Sequence, residues 1–421
     1  KNNHMNPIKI DVQSEIGELE HVIVHTPGPE VENMTPENAE RALYSDILNL
    51  SVAEQEYSQF KQVLQIHSNT WEVSKLLEDV LEKNEVKQQL LDSILLFESV
   101  HENIDYLMSL DPGELSRVLI QGVVMKKDNL TRYFSEDRYS LMPLHNCFFT
   151  RDASCVIGNK VLINRMASDV RERESLIMEA IFDNHPLFIT QTFNPIRSKS
   201  YTSGMSTEGG DVLVARDDIL ILGTGVRTSS LGVDFILSKI KEREGIRHII
   251  VQELPQKPES FIHLDMVFTL LDQEHCMVFE PIIVSPNNYR TVHIKLDHGK
   301  VSICTVKNIL EPLKELGMDL KPILCGGNKD QWIQEREQWH SGANFLAVAP
   351  GKLVGYGRNV YTLDELNKNG FEVLDAKDLI DQKINHLDYQ KYVVSVDGAE
   401  LARGGGGARC MSMPIKRKSV K

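Results

Sequence analysis

No stretch of this chain approaches the ~18 consecutive apolar residues of a membrane span. Its six cysteines (Cys147, Cys155, Cys276, Cys304, Cys325 and Cys410) form no CxxC pair and no regular spacing. That weighs against a zinc ribbon or a disulfide framework and points to reduced thiols in a cytoplasmic protein. A basic excess is missing as well: 46 Lys+Arg stand against 60 Asp+Glu, a net charge of -14. Nucleic acid and anionic membranes are therefore poor partners, whereas a small cationic or zwitterionic molecule is easily accommodated. No phosphate-cradling glycine motif or metal-ligand spacing stands out, so neither cofactor nor metal is expected. The first ten residues lack the apolar core of a signal peptide, and Asn3-His4-Met5 reads as a scar ahead of a start at Met5.

What is present is ordinary globular composition, 41% hydrophobic and 25% charged over 421 residues, enough to bury about three quarters of the unfolded surface. Four segments read as β-hairpins around polar or Gly/Pro turns: CVIGNKVLI (155–163), VLVARDDILIL (212–222), VFTLLDQEHCMVF (267–279) and FLAVAPGKLVGYG (345–357). Their turn residues Asn159, Asp217, Gln273 and Gly351 lie 58, 56 and 78 residues apart, a near-period with an insertion in the last interval. Helix-period segments follow at 168–182, 229–244, 306–317 and 361–370, with Gly317 and Gly370 as C′ caps. Further strands are expected at 187–193, 248–254, 320–325 and 371–376. The unit is β-β-α-β, repeated at least four times. HVIVH (21–25) and YVVSV (392–396) offer a fifth unit closed by both chain ends, a radial α/β arrangement with a central axis. Between about Trp71 and Arg132 the pattern changes to helix-forming sequence with a solvated charged face, a helical insert.

Residue types that do chemistry sit just upstream of the hairpins: FFTRD (148–152), EGGD (208–211) and HLD (263–265). Equivalent positions of radial repeats converge near the axis, so three acidic motifs would share one pocket. The strand period of two sends His263 and Asp265 to one face. Singly these signals are weak, since Asp152 reads equally as a turn former, His263 as a core histidine, and the glycines before Asp211 as turn residues. ARGGGGARC (402–410) is the most unusual string, either a mobile flap over a nucleophile or a flexible tail with a structural thiol. Cys410 is the best nucleophile candidate, and the other five cysteines read as core. Carboxylates, histidine and cysteine together suit attack on a cationic carbon such as a guanidinium, whose charge would help hold the thiolate.

SEIGELEHVIVHTPGPEVENMTPEN (14–38), HNCFFTRD, STEGGDV, FIHLD, EREQW (335–339), GYGRNVYT (355–362) and GGGGARCMSMP (404–414) closely resemble the arginine deiminases, in order from Ser14 to Pro414. The resemblance implies a five-bladed ββαβ propeller with a pseudo-five-fold repeat, formed by residues 5–70 and 133–421, with an inserted α-helical domain at 71–132. It also implies hydrolysis of L-arginine to citrulline and ammonia without cofactor, in a cytoplasmic homo-oligomer, dimer or higher. Cys410 would be the nucleophile and His263 the acid and base. Asp152 and Asp265 would hold the guanidinium nitrogens, Glu208 would bind substrate and orient His263, and Asp211 lies in the same substrate-binding motif. Asn146, Arg171 and Arg227 would clamp the α-carboxylate; read without the resemblance, Arg171 is a solvated surface residue. Gly405 stands where several relatives carry a gating arginine, leaving Arg403 or Arg409 to gate, and Ala153 replaces a frequent proline. An amidinotransferase and a catalytically inactive arginine-binding protein are the alternatives. A basic tail (Lys416, Arg417, Lys418, Lys421) reads as solvated.

Overall fold

The computed structural model describes residues 6–34, 44, 46–98, 104–241 and 247–420. The leader at Lys1 to His4, the TPEN segment, the end of the 229–244 helix and Lys421 lie outside the described residues.

Five sheets repeat one plan, in which a first strand pairs antiparallel with a second and the second runs parallel to a third. Three of them follow the expected hairpins directly. Ser154–Ile157, Lys160–Ile163 and Gln191–Phe193 make one sheet. Val212–Arg216, Ile219–Thr224 and His248–Glu253 make another, and Phe268–Leu270, His275–Val278 and Lys321–Leu324 a third. In each, a helix connects the second strand to the third, as a parallel crossover requires: Glu172–Asn184, Ser230–Ile240 and Leu310–Glu315.

The chain ends close the remaining sheets differently from expectation. YVVSV is the third strand of the fourth sheet, as Tyr392–Val396 beside Lys352–Tyr356. The strand expected there, Glu372–Asp375, is pushed to the outer edge. The fifth sheet joins Met413–Arg417, Leu19–Val24 and Asn69–Glu72, with helix Leu50–His67 as its crossover. Met413–Arg417, which contains two basic residues, is thus a structural strand. Arg417 is buried, donating to the carbonyls of Gly17 and Ala347, while Lys416 and Lys418 pair with Glu20 and Glu18.

The long interval before the fourth hairpin holds a second hairpin, Thr291–Asp297 with Lys300–Val306, added to the edge of the second sheet. His298 and Gly299 turn it with φ of 46° and 78°, both positive as a primed turn demands. Cys304 lies on this outer strand and is exposed, unlike the other five cysteines, because no layer covers the edge.

From Val73 to Phe134 the elements are helices apart from the two-residue strand Val123–Val124. Leu76, Leu77, Leu90, Ile94, Leu115 and Leu119 pack in one cluster with Val161, Ile163 and Ile181 of the first sheet unit. Among the described residues no helix is long and apolar enough to cross a membrane.

Gly317 and Gly370 end their helices as expected, with φ of +87° and +88° and open space where a Cβ would stand. The Met318 amide reaches back to the Leu313 carbonyl, and Phe371 to Leu366, closing Schellman turns. Gly370→Ala is therefore expected to cost about 1 kcal/mol through backbone strain alone and to leave activity unchanged. Urea unfolding beside a rate assay checks this, and an unchanged midpoint counts against the left-handed cap.

Candidate active site

Each of the first three sheets is entered through a short helical turn that carries chemistry: Thr150–Ala153, Gly209–Asp211 and Leu264–Met266. His263 and Asp265 therefore do not alternate along a strand as expected, because the strand starts only at Phe268. The turn nevertheless buries both. Cys410 lies three residues before the first strand of the fifth sheet, and Asn344 two before that of the fourth, Leu346–Ala349, which pairs antiparallel with Lys352–Tyr356. Every sheet contributes one such position.

His263 Nε2 is 2.7 Å from Glu208 Oε2, and its Nδ1 is 3.7 Å from Asp152 Oδ1. Burial opposes a charged ring here. The Asp152 carboxylate, the hydrogen bond with Glu208 and the charge of Asp211 outweigh burial and push the histidine up to about 9. Burial likewise works against ionisation of Glu208, but Arg227, His263 and Arg171 hold it down at about 2. At neutral pH the pair is imidazolium and carboxylate, joined by a charge-assisted hydrogen bond. Gly210 packs so close to this ring that a Cβ would stand 2.6 Å from His263 Cγ, which restricts the position to glycine.

Asp152 is buried between two tasks. Its Oδ2 accepts from Arg171 Nη1 at 2.9 Å, and its Oδ1 accepts no hydrogen bond among the described residues. A buried carboxylate oxygen left in that state is costly unless a donor arrives. Cys410 Sγ is 3.7 Å from Asp265 Oδ2 and 3.9 Å from Oδ1. Burial first, then the Asp265 and Asp152 charges, push its thiol well above the usual range. Asp211 Oδ1 accepts the Leu264 amide at 2.8 Å, fixing the turn between His263 and Asp265, and burial raises its carboxyl to about 6.

Arg171 is buried, contrary to a solvated reading. Its Nη2 is 2.8 Å from Glu174 Oε2 and 3.5 Å from the Asn146 carbonyl, so Arg171 and Asn146 meet. Arg227 stands apart, partly exposed, with Nη1 3.8 Å from Glu208 Oε1.

The glycine run is a crowded approach and not a loose tail. A Cβ on Gly406 would lie 2.5 Å from Phe149 Cε1, and one on Gly407 2.7 Å from Asn344 Oδ1. Neither candidate gate is free: Arg403 pairs with Asp46 and Glu400 at the surface, and Arg409 is buried between Glu15 and Asp265.

Sequence reasoning missed Asn344, whose Oδ1 accepts the Arg409 and Cys410 amides at 3.0 and 3.3 Å while its Nδ2 donates to the Asp265 carbonyl at 3.0 Å. It also missed Glu15, Glu174 and the inner role of Arg409. The repeat itself held the signal for Asn344, since it precedes the fourth hairpin where Asp152, Asp211 and Asp265 precede the others.

Asp152, Glu208 and His263 each offer one ligand atom within 4.8 Å of the rest. A metal needs neutral imidazole, whereas these carboxylates favour the proton on His263, and Arg171 and Arg227 already neutralise them.

A family model described as arginine deiminase matches residues 40–417. Curated relatives include arginine deiminases of Bacillus cereus (strain B4264), 33% identical over 98% of this chain and 99% of the relative. The arginine deiminase of Oenococcus oeni is 32% identical over 98% of each. Among solved structures, an amidinotransferase from Microseira wollei superposes with TM-score 0.54 at 13% identity over 98% of each chain. The substrate-bound N-terminal domain of an arginine dihydrolase from cyanobacteria gives 0.53 at 13% identity, over 94% of this chain and 98% of that one. These structural likenesses establish a shared mixed α/β fold.

Proposed function

The chain belongs to the arginine deiminase family, and from that premise we propose how its residues hydrolyse the guanidino C–N bond of L-arginine to give L-citrulline and ammonia. The observation that carries the reading is the pairing of an unsatisfied buried Asp152 oxygen with a buried thiol on Asp265 and an imidazolium on Glu208.

The substrate guanidinium donates to Asp152 Oδ1 and to Asp265. Its positive charge offsets the burial and the two carboxylates that keep the Cys410 thiol protonated, so the thiol gives its proton to solvent and the thiolate forms as substrate enters. Sulfur adds to the guanidinium carbon. His263, its Nε2 committed to Glu208, protonates the departing amine from Nδ1, and ammonia leaves an S-alkylthiouronium intermediate. The now neutral imidazole takes a proton from water, whose oxygen attacks the same carbon. Collapse releases citrulline and returns Cys410. Asp211 supports the turn through the Leu264 amide, and Asn146, Arg171 and Arg227 face the α-carboxylate end of the substrate. None of these steps draws on a metal or cofactor.

The five sheets are read as five ββαβ blades of a propeller made by residues 5–70 and 133–421, with 71–132 as a helical insert whose first two residues end the strand Asn69–Glu72 of the fifth sheet. Six free thiols favour the cytoplasm, and the family resemblance implies a homo-oligomer.

Incubation with L-arginine and a chelator, alone and with glycine or lysine, is expected to yield citrulline and ammonia in equal amounts in every case. Ornithine appearing only with the added amine would instead make the protein an amidinotransferase, and neither product would leave an inactive arginine-binding protein.

A further inference from the structure

Asp265 does not face the substrate site alone. Arg409, buried beside Cys410 in sequence, gives its Nη1 to Asp265 Oδ2 at 2.8 Å and its Nη2 to the Val212 carbonyl at 2.8 Å. Its other contacts are with Glu15, Nε to Oε2 at 3.0 Å and Nη2 to Oε1 at 3.1 Å. That is a bidentate pair, the strongest geometry available to a guanidinium. Glu15 is itself buried, and its Oε1 accepts the Val214 amide at 3.3 Å. The chain thus runs carboxylate, guanidinium, carboxylate, thiol, with every member buried. In such surroundings charges act on one another with little screening, and Arg151 and Arg417 add further positive charge around Glu15.

A lone arginine on Asp265 would cancel the charge that the substrate is to meet. The geometry answers this by placing an equal carboxylate on the arginine's far side. We propose that Glu15 is a positioning residue for this reaction: it shares the charge of Arg409, fixes where its Nη1 points, and so keeps Asp265 an effective acceptor for the substrate guanidinium. The proposal rests on Asp265 binding substrate, as given above.

Glu15→Gln removes that sharing. Arg409 then acts on Asp265 and Cys410 with uncompensated charge, so substrate is held less well and the thiol ionises more easily. The expected result is a kcat/KM lower by about tenfold or more, carried mainly by KM. With it, the midpoint of Cys410 alkylation by iodoacetamide moves down by about half a pH unit or more. A purely structural loss lowers the active fraction, hence kcat, and leaves KM and the midpoint alone.

Folded Glu15→Gln protein with wild-type KM and midpoint overturns the proposal. Should Glu15→Gln not fold, Glu15→Asp decides, with the same two shifts at smaller size expected and their absence fatal. Failure of both variants to fold reduces Glu15 to a stability residue and also overturns it. Wild-type protein that forms no citrulline would sink the deiminase reading instead, a result separate from the alkylation midpoint.

Discussion

Cys410→Ser is expected to abolish citrulline formation, by about 10⁴-fold or more, while the protein keeps its fold. Serine is nearly the size of cysteine, and besides the Sγ contacts with Asp265, residue 410 is seated by its backbone, from its amide to Asn344 and from the Arg151 amide to its carbonyl. Stability should therefore stay within about 1 kcal/mol of wild type. The loss is chemical: a hydroxyl is far harder to ionise than a thiol, and the guanidinium charge that suffices for the latter does not reach the former. Product assay, thermal unfolding and intact-mass analysis of substrate-quenched protein test this together. Wild type should show a transient adduct at Cys410, and rapid turnover by the folded serine variant would remove Cys410 from the nucleophile's role.

Glu208→Gln should give the second largest effect, lowering kcat by about 10²- to 10³-fold. It should also pull the alkaline limb of the kcat/KM profile, expected near 9 in the wild type from His263, toward lower pH. The direction follows from the balance at His263, where burial drives the ring toward neutrality and Asp152, Glu208 and Asp211 hold the proton on. Removing the bonded carboxylate leaves burial the stronger influence. The same pair shapes stability. His263, raised from 6.5 to about 9, contributes fully below about 6.5 and loses its contribution as pH rises through about 9. Glu208, lowered from 4.5 to about 2, contributes above about 4.5 and loses it as pH falls through about 2. The Tm difference between wild type and variant should accordingly be greatest between about pH 4.5 and 6.5 and shrink toward pH 9. A pH-independent difference, or an unmoved alkaline limb, would separate Glu208 from His263.

The hairpins were legible because period-two apolar runs and turn residues are local properties, and the Gly317 and Gly370 caps for the same reason. The candidate site residues could be picked out because their places in the repeat coincide. The closing of the fifth sheet could not, since pairing of Leu19–Val24 with Met413–Arg417 is nonlocal and both YVVSV and MPIKR offer a plausible strand. The hairpin at Thr291–Val306 left a readable mark in its β-branched strands and its His298-Gly299 turn, but it falls outside the repeat that the other hairpins define, and its outer strand is exposed. The hardest residues were charged ones placed inside. In the run from Arg171 to Glu174 every side chain is buried, each arginine near a carboxylate, and a charge pattern alone reads as solvated surface. Arg409 and Glu15 are hidden likewise, since their partners come from opposite ends of the chain.

That last pairing sets an order on biosynthesis. Arg417 bonds to the Gly17 carbonyl across 400 residues, and Cys410 and Arg409 enter the core with the same strand. A chain emerging from a ribosome at about 5–20 residues per second has presented every strand of the other four sheets before the strand that completes the fifth is available. Leu19–Val24 pairs early with Asn69–Glu72, but its other side stays open until synthesis has passed Met413–Arg417, exposed to the mispairing that such edges invite. The proposed nucleophile, Cys410, arrives only as the fifth sheet closes, so a polypeptide stalled before it carries His263 and the acidic residues of the candidate site without the thiol that faces them.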